Sequence, residues 1–258
     1  MVQLKAKIVH NKIVQANYFH CAVAAAKIAS LASPGQFVNI KVSDSIEPLL
    51  RRPFSIHRVS RADIEILYEI VGPGTEILSQ KNAGEYLDII GPLGTGFTFN
   101  DRPRERQTER TILVAGGMGV APLLFLAEKL KKHNPLVLLG VKTKSQILCE
   151  KDFKDLGCEV RIATDDGSRG FKGKVTDLLK HLPSTIDHRP STIYACGPRP
   201  MLKEISLVSK KHNIPAQISL EEHMACGIGA CLGCAVKTKS GFQRVCKEGP
   251  VFAADEII

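Results

Sequence analysis

Tryptophan is absent from the 258 residues, and aromatic side chains make up only 5% of them. Surfaces that bind nucleic acid interleave aromatic and basic side chains, so that bases stack beside neutralised phosphates. The basic runs here, such as EKLKKHN at 128–134, carry no such interleaving. The formal net charge of +9 therefore reads as a solvated surface, and nucleic acid is not expected as a partner. No apolar run approaches the ~20 residues of a membrane span, so no membrane is expected either. The opening MVQLKAKIVHNKIVQ lacks the apolar stretch of a secretory signal, and the expected compartment is the cytoplasm. Hydrophobic residues still form 44% of the chain. That is enough for two medium domains and an appendage.

Cysteine is unevenly spread. Cys21, Cys149, Cys158 and Cys196 stand singly, whereas Cys226, Cys231, Cys234 and Cys246 fall in one segment with gaps of four, two and eleven residues. A chain of this length without a signal is a poor candidate for a disulfide scaffold, and clustered thiols point to metal or redox chemistry. Structural zinc sites usually present two Cys-x2-Cys knuckles, and only Cys231 and Cys234 form one. Cys-x4-Cys-x2-Cys followed by a distant Cys is the spacing of a plant-type [2Fe–2S] loop. Gly227, Gly229 and Gly233 suit a loop that wraps a cluster, because glycine reaches positive φ without strain. The gap before the fourth cysteine is much shorter than in plant-type ferredoxins, so a different, smaller cluster domain is expected. Zinc and unligated thiols are the alternatives.

Residues 1–100 break into short alternating runs, AKIVHNKIV, QFVNIKV, FSIHRVS, IEILYEIVG and EYLDIIG, with Pro and Gly between them. This predicts a small antiparallel β-barrel. HCAVAAAKIASLA at 20–32 favours helix by propensity, but its neighbours point to strand followed by loop. NDRPRERQTER at 100–110 reads as a linker. From there to residue 219, strand and helix patterns alternate, which predicts a doubly wound parallel sheet. Residues 220–258 hold the cysteine segment.

Four stretches carry the remaining chemistry. LVAGGMGVAPLL places Gly116, Gly117, Met118 and Gly119 between a strand and a helix, where a pyrophosphate is bound in many nucleotide sites. YACGPRPML sets Cys196 and Gly197 at the carboxyl edge of a later strand. TDDGSRGFKG offers Asp165 and Asp166 to a ribose or an amide. In the barrel, LLRRPFSI combines the phosphate-matching forks of Arg51 and Arg52 with Ser55, a hydroxyl in reach of a flavin nitrogen, and VGPGTEIL adds Gly74 and Thr75. Taken singly, each stretch also reads as ordinary turn or packing.

An arginine–x–aromatic–serine stretch, then GGMGVAP, then CGPRPML, in this order, resembles the ferredoxin–NAD(P) reductase superfamily. The segment EEHMACGIGACLGC with its later Cys resembles, within it, the electron-transfer subunits of heteromeric NAD-linked bacterial dihydroorotate dehydrogenases. LLRRPFSI, GPLGTGF and TDDGSRG support the same resemblance, which spans essentially the whole chain. It implies FAD between barrel and sheet, held by Arg52, Pro53, Phe54, Ser55, Leu67, Tyr68, Glu69, Gly74 and Thr75. Phe54 stands where many relatives have Tyr. It implies NAD as co-substrate at Gly116–Gly119, Asp165 and Gly197, with Ser55 and Cys196 in catalytic roles. The four clustered cysteines become [2Fe–2S] ligands. The implied partner is an FMN-containing catalytic subunit, in a heterotetramer. The small subunit of an NAD(P)H:ferredoxin oxidoreductase is the alternative within enzymes. A zinc-binding or regulatory module without FAD is the alternative outside them.

Overall fold

The computed structural model describes residues 1–99, 110–182 and 191–257. The expected linker lies outside these residues except for Arg110, which begins a strand. In the N-terminal part, β1 (Val2–Gln15), β2 (Tyr18–Ala24), helix α1 (Ala26–Ala29), β3 (Phe37–Lys41), β4 (Arg52–Ser55), β5 (Arg58–Ser60), β6 (Asp63–Glu69), helix α2 (Pro73–Ser79) and β7 (Tyr86–Leu93) follow one another. The strands pair antiparallel in the order β4-β3-β7-β1-β2-β6-β5. Alternation along each strand sends one face inward. Val38 and Ile40 of β3, Ile64 and Ile66 of β6, and Ile89 of β7 are all fully buried there.

The predicted barrel is not closed. Phe54 on one edge strand reaches Tyr68 of β6, with ring centroids 5.6 Å apart, so the sheet curls back on itself. No ladder joins β4 to β5 among the described residues. Residues 20–32 also differ from expectation. The strand ends at Ala24, and one helical turn, α1, replaces the loop. There the alanines follow their local propensity.

The second sheet runs through β8 (Arg110–Gly116), helix α3 (Val120–Leu130), β9 (Leu136–Val141), helix α4 (Glu150–Asp155), β10 (Glu159–Thr164), β11 (Phe171–Lys172), helix α5 (Val175–Lys180), β12 (Ser191–Cys196), helix α6 (Arg199–His212) and β13 (Ala216–Ser219). These strands are parallel, and Thr111–Gly116 of β8 is buried throughout, as a two-sided parallel strand requires. α3 and α4 cover one face with Leu123, Leu124 and Phe153; α5 and α6 cover the other with Leu179, Leu202 and Ile205.

The cysteine segment forms a hairpin, β14 (Ala235–Thr238) and β15 (Gly241–Arg244), and then returns to the sheet. Its last strand, β16 (Val251–Ala253), pairs antiparallel with β13, which makes the second sheet mixed where a parallel one was predicted. Cys234, Val236, Val245, Cys246 and Phe252 belong to the same core as Leu202 of α6, Ile218 of β13 and Phe37 of the barrel. A segment of under 40 residues cannot build a sufficient core of its own; this one shares its neighbours'.

Candidate active site: three loops at one sheet edge

The cysteine loop folds its own backbone toward its sulfurs. Gly227 and Gly229 take φ of +68° and +81°. Cys231 N–H donates to Cys226 Sγ at 3.4 Å, Gly229 N–H to Cys246 Sγ at 3.2 Å, and Cys246 N–H to Cys234 Sγ at 3.4 Å. The side chains meet in pairs, Cys226 with Cys231 and Cys234 with Cys246. Among the described residues, no three His, Cys, Asp or Glu side chains converge on one ion position. Two thiol pairs in one loop fit a two-iron cluster with two sulfurs per iron better than the single tetrahedron of zinc. Partial burial pushes the Cys226 thiol up, but the N–H groups of Cys231, Ile228 and Ala230 and the Cys231 side chain outweigh it and bring it down to about 6. Burial and Cys234 push the Cys246 thiol up to about 12. Arg244, which nothing in the spacing singled out, clamps the loop. Its guanidinium donates to the Gly229 carbonyl at 2.6 Å and to Glu248 at 2.6 and 3.1 Å.

In the barrel, Arg52 lies on the first turn of α2. A Cβ added at Gly74 would come within 2.6 Å of Arg52 Nε, so the guanidinium sits against the N-terminal turn of the helix. Two segments far apart in sequence thus make one cationic corner suited to a phosphate. The Thr75 hydroxyl is engaged within its own turn. It accepts from Val71 and Gly72 N–H at 2.9 and 3.3 Å and donates to the Gly72 carbonyl at 3.0 Å. What read as a Gly–Pro–Gly turn is the start of a helix, with Pro73 in its first turn.

The pleat of β6 separates three expected flavin neighbours. Tyr68 points into the barrel, edge-on to Phe54, and its hydroxyl donates to Asn11 at 3.0 Å. Leu67 lies on the opposite face, against the α/β domain, and Glu69 shares that face with Tyr18. Ser55 is half-buried at the end of β4. Arg52→Ala removes a charged donor worth roughly 1.5–3 kcal/mol. The flavin dissociation constant should rise about tenfold or more for that loss, read as flavin lost on dialysis, whereas retention at wild-type level would move the phosphate away from Arg52, with Arg51 next to test.

The glycine turn and the Cys196 turn are in contact. β8 and β12 are neighbours, while β9 flanks β8 on the other side. The strand order therefore reverses between them, where open α/β sheets bind ligands. A Cβ at Gly119 would come within 2.0 Å of the Cys196 carbonyl oxygen, and one at Gly116 within 2.7 Å of Met201 Sδ. Gly117 has φ +54° with open space above it. Met118 is half-buried against the α/β core. Cys196 is fully buried, and burial drives its thiol up. Gly197 packs on Gly116. Asp165 stands apart. It is exposed at the end of β10, two strands from β8, with its N–H on the Val141 carbonyl at 3.1 Å. Arg169, which could have met a 2′-phosphate, is paired with Glu150 at 2.8 Å.

Barrel and α/β domain meet through histidines. Buried His57 has Nδ1 2.7 Å from the Ala121 carbonyl in the first turn of α3. Its Nε2 is 4.0 Å from Cys149 Sγ, and its ring packs edge-on to His20. His20 itself lies between His10 and Glu65, at 2.9 and 3.0 Å. His20, His57 and Cys149, with Arg58, Leu67 and Leu148, line a cavity of about 300 Å³. Burial holds His57 at about 4, against an unfolded value near 6.5. The folded chain therefore binds fewer protons between those values. The His57 contribution is intact above pH ~6.5 and about 3 kcal/mol is lost as pH falls through 4. Melting temperature against pH should flatten over that window in His57→Asn; an unchanged profile would place the acid sensitivity elsewhere.

Comparison with known proteins agrees with this geometry. Residues 221–258 match the iron–sulfur cluster binding domain of dihydroorotate dehydrogenase B, and residues 113–206 match the oxidoreductase NAD-binding domain. The dihydroorotate dehydrogenase B (NAD(+)) electron transfer subunit of Desulforamulus reducens is 44% identical, over 98% of this chain and 97% of that protein. That of Geobacillus kaustophilus is 37% identical, over 97% and 96%. A solved NADH-dependent reduced ferredoxin-NADP oxidoreductase superposes with TM-score 0.85 at 27% identity, covering 98% of this chain and 89% of that one. A ferredoxin NADP+ reductase from Neisseria gonorrhoeae shares the fold, with TM-score 0.67 at 15% identity over 81% of this chain and 91% of that one. Paired cysteines, a cationic barrel corner and a glycine turn at the switch point, with these matches over nearly the full length, place the chain in the family of bacterial dihydroorotate dehydrogenase B electron-transfer subunits, as an NAD-linked oxidoreductase subunit.

Proposed function

We propose that the chain carries electrons between the FMN of a dihydroorotate dehydrogenase catalytic subunit and NAD+, through a [2Fe–2S] cluster and FAD, in pyrimidine biosynthesis in the cytoplasm. The observation that carries this reading is the pairing of the four clustered thiols in a loop seated on the barrel, beside the strand that bears Arg52–Ser55. In this division, residues 1–100 hold FAD, 101–219 the nicotinamide nucleotide and 220–258 the cluster. When bound, FAD supplies hydride exchange with the nicotinamide and the cluster supplies single-electron steps.

The chain's own residues bind and orient. Arg52 and the first turn of α2 take the flavin phosphates, and Ser55 offers a hydroxyl toward the ring. Gly116, Gly117, Gly119 and Gly197 let the backbone come close to the nucleotide. The buried, neutral Cys196 thiol adds no charge there. Cys226, Cys231, Cys234 and Cys246 would hold the cluster, Cys226 paired with Cys231 and Cys234 with Cys246. Among the described residues no helix is long and apolar enough to cross a membrane.

The test is reconstitution with an FMN-containing dihydroorotate dehydrogenase subunit, read as dihydroorotate-dependent NAD+ reduction. The yellow-brown holoprotein should carry flavin bands overlaid by thiolate-to-iron absorption. A colourless, zinc-containing protein would sink the reading. The superposition with the ferredoxin-NADP oxidoreductase favours a second reading, the small subunit of an NAD(P)H:ferredoxin oxidoreductase. Ferredoxin-dependent turnover in place of dihydroorotate turnover would select it.

A further inference from the structure

Asn39 is fully buried in the middle of β3, between the hydrophobic residues Val38 and Ile40, whose side chains fill the barrel. Its own side chain points the other way, to the face that the cysteine loop covers. Nδ2 donates to the carbonyl of Cys226 at 3.2 Å. Gly227, at φ +68°, fits against it so closely that an added Cβ would come within 2.4 Å of Nδ2. On its other side, Asn39 is in register with Pro53 of β4, the centre of the Arg52–Ser55 stretch. The far end of the cysteine segment has a separate anchor, Thr95, whose hydroxyl donates to the Lys247 carbonyl at 3.2 Å.

Stability alone does not account for an amide here. Asn39 Oδ1 is buried without a hydrogen-bond partner, and an unsatisfied buried polar atom disfavours the folded state. A residue of similar size with no polar atoms would remove that penalty from the strand and leave only the Cys226 carbonyl of the loop without its donor. What the amide adds is a fixed distance between two strands of a rigid sheet and the backbone of the first cysteine of the loop.

We propose that Asn39 is a positioning residue for electron transfer between flavin and cluster, holding the Cys226 end of the cluster loop at a set place against the strand that carries the flavin motif. The inference rests on the reading of flavin and cluster given above. Residues that hold a redox or catalytic group in place through a hydrogen bond act on rate through distance, and small displacements have large effects.

The experiment compares Asn39→Leu with wild-type holoprotein under anaerobic conditions, following flavin bleaching and cluster reduction separately after mixing with NADH. Melting temperature and the electron paramagnetic resonance spectrum of the reduced cluster are recorded alongside. Expected are a melting temperature close to wild type, unchanged flavin reduction, a shifted cluster spectrum, and cluster reduction slower on the order of ten- to hundredfold. Asn39→Ser, polar but too short to reach the Cys226 carbonyl, should slow the same step. Reduced iron loading with flavin and melting temperature kept would be the same result in stronger form. Cluster reduction at the wild-type rate in both variants would overturn the inference. So would a lowered melting temperature with flavin and cluster steps slowed alike, which is what a purely structural residue gives. Wild-type protein without iron–sulfur absorption would instead remove the reading beneath it.

Discussion

Cys231→Ser should abolish dihydroorotate-dependent NAD+ reduction in the reconstituted complex while leaving NADH-to-dye activity of the isolated chain largely intact. Cys231 contacts Cys226 and lends its N–H to that sulfur, so the substitution removes one member of a thiol pair and weakens the seat of the other. A hydroxyl is a poor ligand for an iron held otherwise by thiolates. The proposed nicotinamide and flavin regions, Gly116–Gly119 and Arg52–Ser55, do not include Cys231. Flavin bands should therefore persist as the broad thiolate-to-iron absorption disappears. A cluster-free variant that still couples the two substrates would mean that the flavins of the two subunits exchange electrons directly, and the relay would have to be abandoned.

How much of this site could be read from the sequence depends on how local each signal is. Cys226, Cys231 and Cys234 lie within nine positions, and GGMG within four, so spacing could single both out, although GGMG alone also reads as a packing turn. Arg52 and Gly74 were each legible as candidates, but their contact was not, because β4 and α2 meet only through the curl of the sheet. Gly72, Pro73 and Gly74 read as a turn, although Pro within a first helical turn is also a helix-start signal. Asn39 and Arg244 were missed because the contacts that tie them to the cysteine loop, with Cys226 and with Gly229, reach residues 15 or more positions away. The return of Val251–Ala253 to the sheet was equally hidden, since three residues carry no periodicity. Closure of the barrel failed for a related reason. Alternation fixes which face of each strand is buried, whereas closure depends on pairing between the outermost strands.

Gly119→Ala should destabilise the α/β domain by about 3 kcal/mol or more and lower the melting temperature by roughly 6–12 °C. Backbone conformation gives no reason to expect this. Gly119 has φ −59° and ψ −10° at the start of α3, where alanine is the better helix former by up to about 1 kcal/mol. Packing decides otherwise. The new methyl carbon would lie 2.0 Å from the Cys196 carbonyl oxygen and 2.7 Å from the Gly197 nitrogen. Both are backbone atoms of the adjoining strand end, so no side-chain rotation relieves the overlap, and the two turns must separate. Separation opens the floor on which the nucleotide is proposed to lie. NADH-dependent flavin reduction should therefore fall further than the loss of folded protein explains. Gly117→Ala is the control. Its methyl would meet nothing within 4 Å, but the residue sits at φ +54°, so only the left-handed conformation opposes it, at about 1–2 kcal/mol. Melting curves for the two variants separate close approach from backbone freedom. If Gly119→Ala melts with wild type, the Gly116–Gly119 and Cys196–Gly197 turns do not touch, and the nucleotide site must be sought away from their junction.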